Sequence, residues 1–164
     1  MILLPIVIAI LVVCFGGVLL FGAPYLPTLT PQIRAALELA GLQPGERLLE
    51  LGCGDGKVLV AAAHAGIDVV GYELNPLLVL VAWLRTRRYR KHVRIIWGDF
   101  WRKPWPEAQA IFVFLLPKYM KRLDTKIVQS KQNPVKLVSF AFNIPGRKPD
   151  AERDGVYLYR YPSD

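Results

Sequence analysis

Three acidic residues, each placed where an apolar segment ends, are the side chains of this 164-residue chain best suited to bind a polar ligand. Glu50 directly precedes a segment with glycine at positions 52, 54 and 56. Glu73 and Asp99 end or follow the next two apolar segments. In a sheet of parallel strands the carboxyl ends lie at one edge, and ligands bind there. We therefore expect the three carboxylates to lie around one ligand.

The glycine-rich segment predicts a tight turn between a strand and a helix. Glycine permits positive φ and lets a ligand approach main-chain N–H groups at a helix N-terminus. The spacing is G-x-G-x-G, and Lys57 stands where the dinucleotide fingerprint G-x-G-x-x-G has its third glycine. The pattern resembles motif I of the class I S-adenosylmethionine-dependent methyltransferases. A plain structural turn is the alternative, because glycine clusters also mark turns.

The resemblance to motif I implies where S-adenosylmethionine would bind. The glycine loop would hold the methionine part, with Glu50 near its ammonium group. Glu73 follows Glu50 by 23 positions, close to the offset of about 20 at which an acidic residue accepts hydrogen bonds from ribose hydroxyls. In the family pattern an acid such as Asp99 receives the adenine amino group, and Phe100 packs nearby. The expected cofactor-binding residues are Glu50, Gly52, Cys53, Gly54, Asp55, Gly56, Glu73, Leu74, Asp99, Phe100 and Phe114.

Strands and helices that could position these residues alternate along the chain. Strands are predicted at 47–51, 68–72, 93–97, 110–115, 135–141 and 156–161, and helices at 31–40, 58–65, from Pro76 towards the basic residues after 84, and 117–129. The third helix shows one apolar face, formed by Leu77, Leu80, Val81 and Leu84. This alternation predicts right-handed βαβ units and a mostly parallel sheet. Because 143–154 is predicted to be an irregular loop, we expect a Rossmann-like class I methyltransferase sheet shortened by one strand, with the last strand antiparallel to the fifth.

The N-terminal part of the chain is apolar and uncharged up to Arg34. About 20 apolar residues suffice to cross a bilayer, so residues 1–22 are predicted to form a transmembrane helix. A re-entrant or monotopic segment is the alternative, since Pro5 and the Gly16-Gly17 pair could bend it. The predicted organisation is a transmembrane helix (1–22), a proline-rich connector (23–30) and a methyltransferase domain (31–164). Because the basic residues all follow the apolar segment, the positive-inside rule predicts a single-pass protein with its catalytic domain in the cytoplasm.

Charge and cysteine content restrict the possible partners. The net charge of +8 suits an anionic membrane surface or nucleic acid. With a predicted membrane span in the same chain, we favour lipid head groups as the partner of the basic residues between 85 and 94, and expect no nucleic-acid partner. Cys14 and Cys53 are expected to be small apolar fillers rather than a disulfide pair. No Cys/His cluster has the spacing of a zinc site, so no metal is expected.

Several segments together resemble the family of small membrane-anchored lysine methyltransferases, whose eukaryotic members modify the ATP synthase c subunit and the adenine nucleotide translocase. These segments are Pro-Tyr-Leu-Pro-Thr (24–28), Glu-Leu-Gly-Cys-Gly-Asp-Gly (50–56), Gly-Tyr-Glu-Leu-Asn-Pro (71–76) and Phe-Leu-Leu-Pro (114–117). The resemblance implies methylation of a lysine on a membrane protein. A lipid or small-amine acceptor, or a non-catalytic membrane protein with a Rossmann-like interaction domain, are the alternatives.

The end of the fourth strand bears on the acceptor. Enzymes that methylate amides or adenine carry Asn or Asp followed by Pro-Pro and an aromatic residue there, and this chain lacks that pattern, which argues against methylation of a base. Candidate residues of the substrate cleft are Tyr25, Thr28, Leu116, Pro117 and Tyr119. None of them is a convincing general base. His64 and His92 have no recognisable partner in the sequence and are not expected to act as one.

Overall fold

The computed structural model of the chain describes residues 4–6, 28–130 and 135–162. Its helices are α1 (Thr30–Ala40), α2 (Lys57–His64), α3 (Pro76–Thr86), which continues into a 3-10 turn at Arg87–Tyr89, and α4 (Pro117–Gln129). Its strands are β1 (Arg47–Leu51), β2 (Asp68–Glu73), β3 (Val93–Trp97), β4 (Ala110–Val113), β5 (Val135–Phe140), β6 (Ala151–Arg153) and β7 (Val156–Tyr161). The strands form one sheet in the order β3-β2-β1-β4-β5-β7-β6.

The first five strands are parallel, as the alternation of elements predicts. Glu50 on β1 lies opposite Gly71 on β2 and Phe112 on β4, and Glu73 lies opposite Trp97 on β3. The carboxyl ends of these strands therefore lie side by side, and we call this end of the sheet its carboxyl edge. The predicted antiparallel pairing of the last strand with the fifth is confirmed, since β7 runs antiparallel to β5.

The prediction of a sheet shortened by one strand is wrong, because β6 supplies a seventh strand. β6 pairs with β7 through a tight turn at Asp154 and Gly155, whose φ values are +52° and +73°. Positive φ at both central residues is typical of a type I′ hairpin turn, which favours Asp-Gly. The three residues of β6 are polar or half-buried at a sheet edge, so no apolar run marked them. The Asp-Gly pair was the signal in the sequence.

Helices cover both faces of the sheet. On one face α1 and α2 pack through Ile33, Ala36, Leu59 and Ala62 onto a cluster that includes Leu48. On the other face α4 buries three side chains with helical spacing, Met120, Leu123 and Ile127. The two cores hold the strands rigidly, and the edge that carries Glu50 and Glu73 is fixed by them.

The apolar face predicted for α3 is not the face that packs on the domain. Leu78, Ala82 and Thr86 are buried, whereas Leu80, Val81 and Leu84 are exposed. The reason is a close approach: a Cβ added at Gly56 would lie 3.1 Å from Cβ of Ala82, so only a small side chain fits at this contact. Since α3 is apolar nearly all round, periodicity alone could not distinguish its two faces.

The predicted transmembrane helix (1–22) lies almost wholly outside the described residues, and so do residues 23–27 of the connector, including Tyr25. Among the residues that the structure describes, no helix is both long enough and apolar enough to span a bilayer. The helix start predicted at residue 31 is displaced by one residue, because Leu29 is the N-cap and Thr30 is already helical.

Candidate cofactor site

The glycine loop between β1 and α2 turns back on β2 and leaves space on its outer side. Gly52, Gly54 and Gly56 all have positive φ, at +88°, +52° and +80°. The N–H groups of Gly52 and Cys53 donate to the carbonyl of Tyr72, at 2.9 and 2.8 Å. A Cβ built at Gly52 would meet no atom within 4 Å, so a ligand can approach the main chain there.

Glu73 ties the glycine loop to the start of α3. Its Oε2 accepts a hydrogen bond from the N–H of Gly54 at 2.9 Å, and its Oε1 accepts one from the N–H of Asn75 at 2.8 Å. Burial raises the pKa of Glu73, and hydrogen bonds from Asn75, Gly54 and Leu74 partly oppose that rise. Each carboxylate oxygen keeps a second lone pair, so Glu73 can hold the loop and still accept from ribose hydroxyls.

Glu50 is a buried carboxyl group, one oxygen of which finds no hydrogen-bond partner among the described residues. Its exposed fraction is 4%, and within the described part of the chain nothing donates to Oε2. Burial, followed by the negative charges of Glu73 and Asp55, raises the pKa of Glu50 well above its ordinary value. An unpaired carboxylate in such a place is stabilised by a cation. The ammonium group of the methionine part of S-adenosylmethionine fits this requirement.

Asp55 in the glycine loop is bound by a side chain from α3. Nη1 of Arg85 donates to the carbonyl oxygen of Asp55 at 3.0 Å and also contacts its carboxylate. This pair was not predicted from the sequence, because the two residues are 30 positions apart and nothing in their spacing links them. Arg85 therefore belongs partly to the cofactor site rather than only to a basic surface.

Cys53 fills space behind the loop, as expected for a small apolar residue. It is a free thiol and is buried. A Cβ at Gly71 on β2 would lie 2.8 Å from Sγ of Cys53, so the two residues pack in direct contact. Burial, and after it the neighbouring Glu50 and Glu73, raises the pKa of the Cys53 thiol, which keeps it neutral.

Asp99 lies next to Glu73 at the same edge of the sheet. The N–H of Gly98 donates to the carbonyl of Glu73 at 2.9 Å, which places the residue after it beside the site. The Asp99 carboxylate accepts from the N–H of Trp101 at 2.8 Å and pairs with Arg102 at 3.5 Å. The expected partner Phe100 packs against Trp101, with ring centroids 4.7 Å apart. The structure thus brings Asp99 and Phe100 to the side of the site where the adenine is expected.

Three aromatic rings form a wall at the ends of β4 and β5. The ring of Phe114 lies 4.5 Å from that of Phe140 and 6.3 Å from that of Phe142, between centroids. Oγ of Ser139 donates to the carbonyl of Phe142 at 2.7 Å and so fixes the turn after β5. Phe140 and Phe142 were missed, because they lie in and just after the predicted fifth strand and belong to no motif that marks a site. Phe114 follows β4, whose Phe112 lies opposite Glu50 on β1, so this wall begins two residues beyond that pair.

The other cleft candidates are only partly brought together. Leu116 is the N-cap residue of α4 and Pro117 is the exposed residue after it. Tyr119 faces Trp101, with centroids 6.1 Å apart. Thr28 is half-buried just before α1, and Tyr25 lies outside the described residues.

The histidines lie away from this edge. Nδ1 of His92 is 2.8 Å from the carboxylate of Asp68, at the amino end of β2. His64 at the end of α2 faces Tyr89 at 6.4 Å between ring centroids. The partner of His92, Asp68, was not recognisable in the sequence. Because this pair lies at the amino ends of the strands, it is separated from the cofactor site at their carboxyl ends.

Comparison with known proteins supports the same assignment. The family model described as "ANTKMT methyltransferase domain" matches residues 50–151. The chain is 31% identical over 129 residues to the ATP synthase c-subunit lysine N-methyltransferase of Xenopus laevis, covering 77% of this chain and 57% of that protein. It is also 30% identical over 149 residues to a protein-lysine N-methyltransferase of Saccharolobus islandicus, covering 83% of this chain and 92% of that protein. The chain thus spans little more than half the length of the Xenopus relative.

Solved structures show the same fold. An RNA methyltransferase from Salinibacter ruber, in complex with S-adenosyl-L-homocysteine, superimposes with a TM-score of 0.78 at 28% identity and covers 85% of this chain and 95% of that one. A methyltransferase from Thiobacillus denitrificans, also with S-adenosyl-L-homocysteine, gives a TM-score of 0.60 at 21% identity, covering 74% and 53%, which shows the fold alone. With the class I methyltransferase fold, a site suited to S-adenosylmethionine and a family match over 50–151, this chain belongs to the ANTKMT methyltransferase domain family.

Proposed function

We propose that this chain is an S-adenosylmethionine-dependent protein-lysine N-methyltransferase. In this proposal residues 1–22 form a single transmembrane helix, the catalytic domain lies in the cytoplasm, and the substrate is a lysine on a membrane protein. The proposal rests on the buried carboxyl of Glu50 near the open side of Gly52, in a chain of this family. One oxygen of that carboxyl has no partner among the residues that the structure describes. The names of the Xenopus and Saccharolobus relatives support lysine as the acceptor, and the name of the first supports a membrane-protein substrate.

The residues of the site have distinct tasks in this proposal. When bound, S-adenosylmethionine supplies a methyl group already activated by its sulfonium. Glu50 would neutralise its ammonium group, Glu73 would accept hydrogen bonds from its ribose hydroxyls, and Asp99 would accept one from its adenine amino group. Because the loop is held by Glu73 and Arg85 before the ligand arrives, little ordering is needed on binding.

The acceptor side needs an apolar cleft more than a base. Only the neutral amine of a lysine is nucleophilic, and its ordinary pKa is about 10.4. Burial against the rings of Phe114, Phe140 and Phe142 would lower that pKa by desolvation. The same wall would exclude water and align the amine, with Tyr119 and the connector residues Tyr25 and Thr28 closing the cleft. No side chain of this domain is assigned as a general base.

Calorimetric titration with S-adenosylmethionine tests the cofactor site. We expect the purified chain to bind, and Glu73→Ala to weaken binding by at least tenfold, since a charged acceptor for two hydroxyls is lost. Glu152→Ala is the matched control, because Glu152 is an exposed acid on β6. Absence of binding, or binding that Glu73→Ala leaves unchanged, would contradict the enzyme assignment.

Methyl-lysine analysis tests the acceptor. Membrane peptides from cells with and without the chain, grown with isotopically labelled methionine, should differ in one or a few methylated lysines. If the label appeared only in lipid or small-amine extracts, the acceptor would be a lipid or a small amine and the lysine proposal would be wrong.

RNA is the second candidate acceptor, favoured by the Salinibacter neighbour and by the basic residues after α3. The segment Phe114 to Pro117 lacks the Asn or Asp followed by Pro-Pro and an aromatic residue that base methylation uses, which argues against it. Label found in RNA from the same cells, and absent from membrane peptides, would overturn the lysine proposal.

A further inference from the structure

The outward side of α3 presents large apolar side chains to solvent. The exposed fractions are 53% for Leu80, 41% for Val81, 61% for Trp83 and 49% for Leu84. Leu78, Ala82 and Thr86, on the opposite side of the helix, pack on the domain. A helix that is apolar on both sides needs an apolar partner on both. Within residues 28–130 and 135–162, the domain provides a partner for the inner side only.

The apolar area continues at the neighbouring edge of the sheet. Trp97 ends the edge strand β3 and is 63% exposed. Its Nε1 donates to the carbonyl of Leu74 at 3.1 Å, just before the start of α3. We call the area formed by Leu80, Val81, Trp83, Leu84 and Trp97 the α3 outer surface. An exposed apolar patch of this kind marks an interaction site.

The segment of sequence that forms the α3 outer surface contains basic residues and no acidic ones. From 74 to 98 the sequence contains six basic residues and no Asp or Glu. Arg85 is bound to Asp55, and Asp68 is paired with His92. The remaining five cations are exposed at the end of α3 and beyond it, at Arg87, Arg88, Arg90, Lys91 and Arg94. None of these five has an acidic partner in the part of the chain that the structure describes. An apolar face bordered by tryptophan and such cations is typical of a helix that lies in the interface of an anionic membrane.

We propose that the α3 outer surface docks into the interface of an anionic bilayer. Its aliphatic and indole groups enter the boundary of the acyl chains, and the cations after α3 contact lipid phosphates. Nucleic acid would contact the cations and leave the aliphatic side chains uncovered, and a second copy would bring two cationic clusters together. The proposal does not depend on the transmembrane helix, since it concerns a surface of the folded domain. Because Glu73 lies three residues before the start of α3, docking places the cofactor site beside the bilayer.

Quenching of Trp83 by brominated lipids tests this docking. The full chain is reconstituted into vesicles of phosphatidylcholine with 0 or 30% phosphatidylglycerol, each carrying acyl chains brominated close to the head group. We expect quenching to be stronger with phosphatidylglycerol and most of the increase to disappear in Trp83→Phe. Trp83→Phe keeps an apolar ring at an exposed position, so it should fold and bind S-adenosylmethionine as the wild type does.

Charge and position are tested by two further variants. Arg87→Gln/Arg88→Gln/Arg90→Gln should lower the ratio of docked to undocked protein at least tenfold and remove its dependence on phosphatidylglycerol. Val128→Trp, in a Trp83→Phe background, places the probe on α4, on the opposite face of the sheet, and should show no added quenching.

Three outcomes would overturn the proposal. In the first, quenching is the same with and without phosphatidylglycerol and with and without Trp83. In the second, the emission of Trp83 is blue-shifted but insensitive to brominated lipid, because the N-terminal segment or a second copy covers the surface. In the third, single-stranded RNA shields Trp83 with an affinity that the arginine variant loses, while lipid has no effect.

Discussion

In the free protein, burial makes ionisation of the Glu50 carboxyl unfavourable, whereas in a complex the same carboxylate would bind the ammonium group of the ligand. Its carboxyl is buried, one oxygen is unpaired within the described residues, and two further carboxylates lie close enough to raise its pKa. Those features oppose ionisation until a cation arrives. Binding of the ammonium group would restore the ionised form, so affinity for S-adenosylmethionine should fall as pH falls through the raised pKa of the free protein.

Replacement of Glu50 by glutamine should stabilise the free protein and weaken cofactor binding. The folded pKa lies above the unfolded value, so the folded state binds more protons, and stability falls as pH rises from about 4 towards the folded pKa. Glu50→Gln removes that loss and should raise stability by about 1–3 kcal/mol at neutral pH, or roughly 2–4 °C per kcal/mol. Thermal melts of both proteins from pH 4 to 8 measure the gain. A gain equally large at pH 4, or unchanged affinity for S-adenosylmethionine, would contradict the assignment.

Phe142 should act on the acceptor rather than on the cofactor. Phe142→Ser opens the wall of Phe114, Phe140 and Phe142 to water, so the acceptor lysine keeps a higher pKa. The rate of methyl transfer should fall about tenfold or more at neutral pH and recover towards alkaline pH, with affinity for S-adenosylmethionine within about twofold. The pH-rate profile is the measurement. Tyr89→Ser, a half-buried ring away from this wall, is the control and should leave the profile in place.

At the scale of elements, the contact between the glycine loop and α3 positions the cofactor site. Gly56 packs against Ala82. Glu73 accepts hydrogen bonds from the N–H groups of Gly54 in the loop and Asn75 before α3. Arg85 on α3 donates to the carbonyl of Asp55. The loop is therefore shaped by tertiary contacts as well as by its glycines. Loosening α3 should disturb cofactor binding even though few of its side chains face the ligand.

Gly56→Ala tests this packing. Its Cβ would lie 3.1 Å from Cβ of Ala82 at a φ of +80°, so both a close contact and backbone strain are introduced. Gly146→Ala is the matched control, because Gly146 has a φ of +78° and no atom within 4 Å of the added Cβ. We expect about 1 kcal/mol of destabilisation for Gly146→Ala and about 1–3 kcal/mol more for Gly56→Ala. Urea unfolding measures both, and equal values would show that packing on α3 contributes nothing.

At the scale of the whole molecule, the site lies at the carboxyl ends of several neighbouring strands and not in a separate lobe. Residues from β1, β2, the segment after β3, and β4 meet there, and the two helical layers hold those strands in register. A ligand bound across this edge links both halves of the sheet. It should stabilise the domain as a unit.

Saturation with S-adenosylmethionine should raise the melting temperature of the whole chain. A concentration 100 times Kd corresponds to about 2.7 kcal/mol, or roughly 5–10 °C for a domain of this size. Glu73→Ala should melt lower without ligand, since Gly54 and Asn75 lose their acceptor, and should show no ligand-dependent rise at the same concentration. Melting curves with and without ligand give both values. A rise of equal size in Glu73→Ala would place the ligand elsewhere.

Local patterns in the sequence predicted much of the fold. β1 was predicted with the bounds observed, and the predicted start of α3 at Pro76 is confirmed. Asn75 caps this helix by accepting a hydrogen bond from the N–H of Leu77. Such features depend on neighbours a few residues away, so sequence alone specifies them. β6 was missed because its three residues, one alanine and two exposed charged residues at a sheet edge, are too few to show an apolar period.

The sequence by itself determined the glycine loop, the acidic residues at the strand ends and the alternation that brings those ends together. Only the tertiary structure decided that Glu50 has no partner at one oxygen among the described residues, that Arg85 binds Asp55, and that Phe140 and Phe142 join Phe114. It also decided which side of α3 is buried. Both sides are apolar, and the choice depends on the close approach of Ala82 to Gly56, which are far apart in the sequence and meet only because the folded sheet brings them into contact.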